Sequence, residues 1–214
     1  MIKLWDVRNG KERAALNGHD GPIHSLAFSP DGNTLASGCG SPSGKNAVRL
    51  WDVTTGKELG GPEGRTGYVE AVAFAPDGKM LAFGNSLGVV KLWDLAARKE
   101  RLSLEATGSS SSLAYAPDGK TLVGAGVGGN VRVWDAATGK ETHRFRAKST
   151  RVHHLSYTPD GKAIILLNFN GSSIQVWEPA TGQDKIVVEA AGDGERTIFF
   201  AIAPDGKTVA TGTV

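Results

Sequence analysis

Cysteine is almost absent from this chain. Among 214 residues only Cys39 carries a thiol, so no internal disulfide is available, and a reducing, cytoplasmic setting is expected. Long apolar runs are missing as well. No stretch of eighteen apolar residues occurs, which argues against a membrane-spanning helix. The opening residues Met1 to Asp6 read as a strand and not as the core of a signal peptide. Charge of one sign is also lacking: 24 Lys and Arg against 22 Asp and Glu leave a formal +2. That balance argues against a general nucleic-acid binder.

Groupings of chemical residues are just as scarce. Five histidines occur, and His153 and His154 are neighbours on an expected strand, so their side chains point to opposite faces. No nucleophile with a partnered base stands out, and no catalytic, cofactor-binding or metal-ligating residue is predicted. Gly124-Ala-Gly126-Val-Gly128-Gly129 fits a dinucleotide-loop spacing, yet a strand follows it where a helix N-terminus is needed. Ser41 to Asn46 brushes against a phosphate loop but lacks the leading glycine and the Ser or Thr after its lysine. Both are read as loops.

What is present is a repeat. All five tryptophans sit in one motif: Leu4-Trp5-Asp6, Leu50-Trp51-Asp52, Leu92-Trp93-Asp94, Val133-Trp134-Asp135 and Val176-Trp177-Glu178. They lie 46, 42, 41 and 43 positions apart, a period that marks an array of similar units. Pro-Asp-Gly recurs in step, beginning at Pro30, Pro76, Pro117, Pro159 and Pro204. Proline presets φ, aspartate bonds its own backbone and glycine supplies positive φ, so each tripeptide reverses the chain between antiparallel strands. A further turn, Thr55-Gly56-Lys57 and its variants, follows most tryptophan motifs. Each period therefore reads as a four-stranded meander. A lone sheet of that kind exposes two faces and must stack on neighbours.

These motifs resemble those of WD-repeat β-propellers, over the whole chain. The regular Pro-Asp-Gly-Lys turns suggest a bacterial member. The resemblance implies an all-β fold of blades, each with strands a to d running outward from a channel. Residues 1–214 are expected to form one domain, of a size that buries about 70% of its unfolded surface. Blades are predicted at about 22–63, 68–105, 110–146 and 152–189. Residues 1–16 supply only c and d strands, and 196–214 only a and b. The two halves are expected to pair as a fifth blade and close the ring, which removes exposed edges. A monomer is the first expectation. Exchange of half-blades between two molecules, or membership of a longer propeller, are the alternatives.

The resemblance also implies a buried hydrogen-bond set in well-formed blades. Here His19 after Gly18, Ser37 and Trp51 supply three members, and the aspartate expected of the set falls near Lys45. Phe83, Gly124 and Leu166 stand where Ser37 stands, so the other blades are expected to rest on apolar packing of Phe28, Phe74, Tyr115, Tyr157 and Trp5, Trp93, Trp134 and Trp177.

Function is expected where the repeat breaks. Family propellers bind partners on the rim of d–a and b–c loops. Counting back from each proline places Pro22 and His24, Tyr68 and Glu70, Ser109 and Ser111, Arg151 and His153, and Arg196 and Ile198 on that rim. Tyr and Arg are enriched at binding hot spots, and Tyr68, Glu70, Arg151, His153, Arg196 and His24 are the partner-binding candidates. Five bases between Lys140 and Arg151 and five acids between Glu178 and Glu195 suggest oppositely charged sectors. The expected function is a non-catalytic scaffold for a protein or peptide, without nucleic acid, membrane or cofactor. The alternatives are a regulatory part of a larger WD-repeat protein, for example beside a kinase-like domain, and an enzyme with a channel site. Against the last, the expected channel strands offer small residues such as Ala27, Ala73 and Ala114.

Overall fold

The computed structural model describes all residues except 42, 44, 45, 63–65, 107, 169–172, 190–196 and 214; at 185–187, 189, 197–199 and 213 only the backbone is described. No helix occurs among the described residues. Four complete antiparallel sheets follow one another along the chain. The first contains β3 (Ile23–Phe28), β4 (Thr34–Cys39), β5 (Val48–Asp52) and β6 (Glu58–Gly60). The second contains β7 (Val69–Phe74), β8 (Met80–Asn85), β9 (Val89–Asp94) and β10 (Lys99–Glu105). The third is β11 (Ser112–Tyr115), β12 (Thr121–Ala125), β13 (Asn130–Asp135) and β14 (Glu141–Arg146). The fourth is β15 (Val152–Tyr157), β16 (Ile164–Asn168), β17 (Ser173–Glu178) and β18 (Gln183–Glu189).

The turns form for reasons written in their residues. After each Pro-Asp-Gly the aspartate Oδ1 accepts the N–H two residues on, at 3.0–3.1 Å in all five copies. The glycine beside it has φ between 69° and 72°, a region that side chains with a Cβ avoid. The aspartate after the tryptophan has its own task. Asp52 Oδ1 accepts Thr55 N–H at 2.6 Å, and Asp135 does the same for Thr138 at 2.8 Å, so each fixes the turn into the outer strand.

The second strand of each sheet lies between neighbouring blades and is closed on both faces. Strands β8, β12 and β16 are buried along nearly their whole length, and so read as continuous apolar runs, not as alternation. Between blades, Ala36, Val48 and Leu50 meet Val69, Val72 and Phe83, while Val123 and Val133 meet Leu155 and Leu166. Serine hydroxyls on the inner strands tie adjacent blades: Ser25 accepts Val72 N–H at 3.1 Å and Ser112 accepts Leu155 N–H at 3.0 Å.

Among the described residues the complete blades number four, not the five expected. The first hairpin, β1 (Ile2–Trp5) with β2 (Glu12–Leu16), and the last, β19 (Thr197–Ile202) with β20 (Val209–Thr213), are separate two-stranded sheets. Each has found its packing partner in the adjoining blade. Ile2, Leu4 and Leu16 lie against Leu35 and Trp51, while Phe200, Ile202 and Val209 lie against Ile165, Leu167 and Ile174. Two expected core residues are left out as a result. Trp5 and Phe28 are each 55% exposed, whereas Trp51 is 2% exposed.

Among the described residues two buried hydroxyls, those of Thr66 and Tyr115, lack a partner, and the repeat explains the second. Tyr157 Oη lies 2.9 Å from Thr121 Oγ1, but Tyr115 Oη, at the same place in the preceding blade, is buried without a partner. Met80 stands where Thr121 stands. Burial, and to a lesser degree Asp77, pushes the Tyr115 phenol upward. Replacing Met80 with Thr supplies the missing partner and is expected to stabilise the fold by about 1 kcal/mol. The urea midpoint reads this, and a lower midpoint shows that the thioether packing matters more.

Candidate functional site

The loops that lead into inner strands lie directly on the hairpins that join second and third strands. Gly40 N–H donates to Pro22 O at 2.9 Å, Ser86 to Tyr68 at 2.9 Å and Val127 to Ser109 at 3.1 Å. A β-carbon at Gly21 falls 2.0 Å from Gly40 O, and one at Gly126 only 1.6 Å from Ser109 O. The glycines of the 124–129 stretch are therefore required by backbone contact, by the Trp134 ring 2.9 Å from a β-carbon at Gly124, and by φ of +91° and +70° at Gly128 and Gly129. No phosphate need be invoked.

This loop layer brings several candidate residues together. Tyr68 is 49% exposed. Glu70 accepts a hydrogen bond from Ser109 Oγ across the boundary of the second and third blades. Ser111 Oγ donates to Val152 O at 2.9 Å across the next boundary. Ser109 and Ser111 are thus committed to holding blades together. Arg151 is exposed and forms an isolated bridge with Val127. His153 is exposed on β15, and His24 is exposed with its Nε2 2.8 Å from where a β-carbon at Gly40 would stand. Arg196, the aspartate position near Lys45, and Asp193 and Glu195 of the acidic sector lie outside the described residues.

Two exposed apolar side chains complete the layer and carried no signal in the sequence. Leu87 is 75% and Val127 46% exposed, both on hairpin turns. Leu87 lies beside Gly67, next to Tyr68, while Val127 meets Ser109 and Arg151. Tyr68, Leu87, Glu70, Val127 and Arg151 therefore run along one side of three successive blades.

The charged sectors are partly spent within the fold. Arg144 pairs with Glu141 at 2.8 Å, and Lys148 lies 3.9 Å from Asp184. A regular ladder also appears that the charge count concealed. The residue two before each tryptophan reaches the residue seven after it: Lys3–Glu12, Arg49–Glu58, Lys91–Glu100, Arg132–Glu141 at 2.5–2.9 Å, and Gln175–Asp184 at 2.6 Å. The spacing of nine was legible once third and outer strands were aligned.

In the first blade His19 Nε2 lies 2.6 Å from Ser37 Oγ, which accepts Trp51 Nε1–H at 2.8 Å. Burial, helped by the nearby Arg49 cation, pushes the His19 ring down to about 4. Cys39 is fully buried, and burial raises its thiol pKa. No group of three or more metal-ligating side chains occurs among the described residues.

Stacked four-stranded meanders with a loop rim define the blades of a β-propeller. The WD domain, G-beta repeat, matches residues 10–52 and 56–94, and the Anaphase-promoting complex subunit 4 WD40 domain matches 103–201. The chain is a WD-repeat protein. Mouse Coronin-7 is 50% identical over 38 residues, 18% of this chain and 4% of its own length. HOS15 of Arabidopsis thaliana is 51% identical over 35 residues, 16% of this chain and 6% of its own. The small ribosomal subunit protein RACK1y of rice is 46% identical over 37 residues, 17% of this chain and 11% of its own. Each match is about one repeat long, so the chain spans only a small fraction of these relatives. They are eukaryotic, and the bacterial character read from the turns gains no support from them.

Proposed function

We propose that this chain is a non-catalytic, cytoplasmic scaffold that binds a protein or peptide through its loop rim. One observation carries the reading: Tyr68, Leu87 and Val127 are exposed in a layer whose backbone is locked by loop-to-hairpin hydrogen bonds. Exposed apolar groups on a rigid frame suit recognition, because little ordering is required on binding. Glu70, Arg151, His153 and His24 supply the polar surround. The test is affinity capture with the parent chain and a Tyr68→Ala/Leu87→Ser/Arg151→Ala variant. Recovered partners are expected to fall at least about tenfold at an unchanged melting midpoint. Undiminished recovery removes the rim.

The ring is proposed to close through its half-sheets. In the first blade Leu35, Ala36, Ser37 and Gly38 pair with Trp51, Leu50, Arg49 and Val48. The same register sets Val209, Ala210, Thr211 and Gly212 against Trp5, Leu4, Lys3 and Ile2. Mild oxidation of a Lys3→Cys/Thr211→Cys variant is expected to give an intrachain disulfide. Cross-linked dimers identify exchange between molecules, and unreacted thiols rule the pairing out.

A second reading, a regulatory part of a longer WD-repeat protein, is favoured by how little of its relatives the chain spans.

A further inference from the structure

The boundary between the first two blades is open on the face of the Pro-Asp-Gly turns, and the repeat explains why. Elsewhere the outer strand of one sheet covers the tryptophan of the next. Ala14 and Leu16 pack with Trp51, Leu102 and Leu104 with Trp134, and Phe145 stacks on Trp177 at 4.1 Å between centroids. Those three indoles are 2%, 2% and 3% exposed. Over Trp93 the covering strand is β6, only three residues long. It sets Gly60 opposite Leu50, where Leu102 stands opposite Leu92 and His143 opposite Val133. At that register position β6 offers no side chain to the ring, and its Leu59, 43% exposed, lines the cleft without closing it. Trp93 is half-buried and lines a cleft of about 470 Å³ with Leu50, Phe74 and Leu95.

The outer lip carries a cation. Arg98 is exposed, and its Nη2 donates to Leu59 O at 3.0 Å. No carboxylate pairs with it among the described residues. Asp31 and Asp77 also line the cleft, but both carboxylates are engaged by their own turns, Asp31 by Asn33 N–H and Asp77 by Lys79 N–H, each at 3.0 Å. The site thus joins a half-covered indole to a guanidinium that no described carboxylate neutralises.

We propose that this cleft binds an extended segment of a partner protein by one large apolar side chain and an adjacent carboxylate. The apolar group takes the place over Trp93 that Leu102 or Phe145 fills at other boundaries. The carboxylate pairs with the free N–H groups of Arg98, whose planar fork suits it. The volume is in the range of small-ligand sites, and one aromatic side chain matches the missing cover. This surface lies on the opposite face from the rim and does not depend on it.

The probes are three synthetic peptides, acetylated and amidated, titrated calorimetrically into the full chain. The first is Gly-Ser-Phe-Glu-Ser-Gly, the second has Lys for Glu, and the third has Ser for Phe. The first is expected to bind at least about tenfold more tightly than the others and to move the Trp93 indole N–H signal in NMR spectra. Arg98→Glu is expected to invert the preference towards the Lys peptide, since the exposed side chain is not required for folding. Tyr68→Ala is expected to leave binding unchanged, which separates this site from the rim. Equal affinities for the three peptides, a preference unaltered by Arg98→Glu, an unmoved Trp93 signal at millimolar peptide, or self-association through the cleft overturns the proposal.

Discussion

Gly126→Ala is expected to lower stability by about 3 kcal/mol, at the severe end for overpacking by one methyl group. The new β-carbon would stand 1.6 Å from Ser109 O and 2.7 Å from its carbonyl carbon. Both are backbone atoms, so no rotamer change relieves the contact. The loop ending at Ser111 must lift from the hairpin, breaking the Val127–Ser109 hydrogen bond and disturbing the Val127–Arg151 bridge. Val127→Ala, next door and exposed, is the control and is expected to change the midpoint by no more than about 0.5 kcal/mol. Urea unfolding of both variants decides the matter. If Gly126→Ala unfolds at the parental midpoint, the loop does not rest on the hairpin as described.

Acidification should weaken the first blade as the His19 ring charges, at higher pH than the turn aspartates respond. The His19 ring titrates near 4 in the fold against 6.5 unfolded, so its neutral form is favoured by folding. Stability from this source is fully present above about pH 6.5 and declines as pH falls towards 4. The shift corresponds to about 2 kcal/mol once solvent screening of a half-buried ring is allowed for. Neutral His19 Nε2 can accept the Ser37 hydroxyl proton while Ser37 Oγ accepts Trp51 Nε1–H. Protonation removes that acceptor and places a second cation near Arg49. His19→Gln is expected to flatten the slope of stability against pH between 6.5 and 4, measured by urea titrations at fixed pH. Asp31, Asp52, Asp135 and Asp160 have carboxyls held below the usual range by hydrogen bonds from their turns. They contribute above their unfolded values and are lost only at lower pH, so the two regimes separate. An unchanged slope in His19→Gln assigns the acid sensitivity elsewhere.

The repeat was legible because its signals are local. Tryptophan, Pro-Asp-Gly and the following turn each specify strand ends within a few residues, and nearly every strand followed from them. Where the half-sheets go was not legible. That depends on packing such as Leu16 on Trp51 and Phe200 on Ile165, which joins residues far apart in the chain and sets blade rotation. The rim shows the same division. Tyr68 and Arg151 stood out because the repeat does not require them, and both are exposed. Leu87 and Val127 did not, since an apolar residue near a strand reads as core until its turn is seen to face water. Gly60 carried no signal in the sequence, because its effect is a missing contact with the next blade.

The uneven shelter of the indoles makes intrinsic fluorescence a local probe. Trp5 is 55% exposed while Trp51, Trp134 and Trp177 are nearly sealed. A collisional quencher such as iodide should therefore reach Trp5 and, in its open cleft, Trp93, and a Trp93→Phe variant would leave the opening hairpin as the accessible fraction, whose loss would time its docking onto another strand.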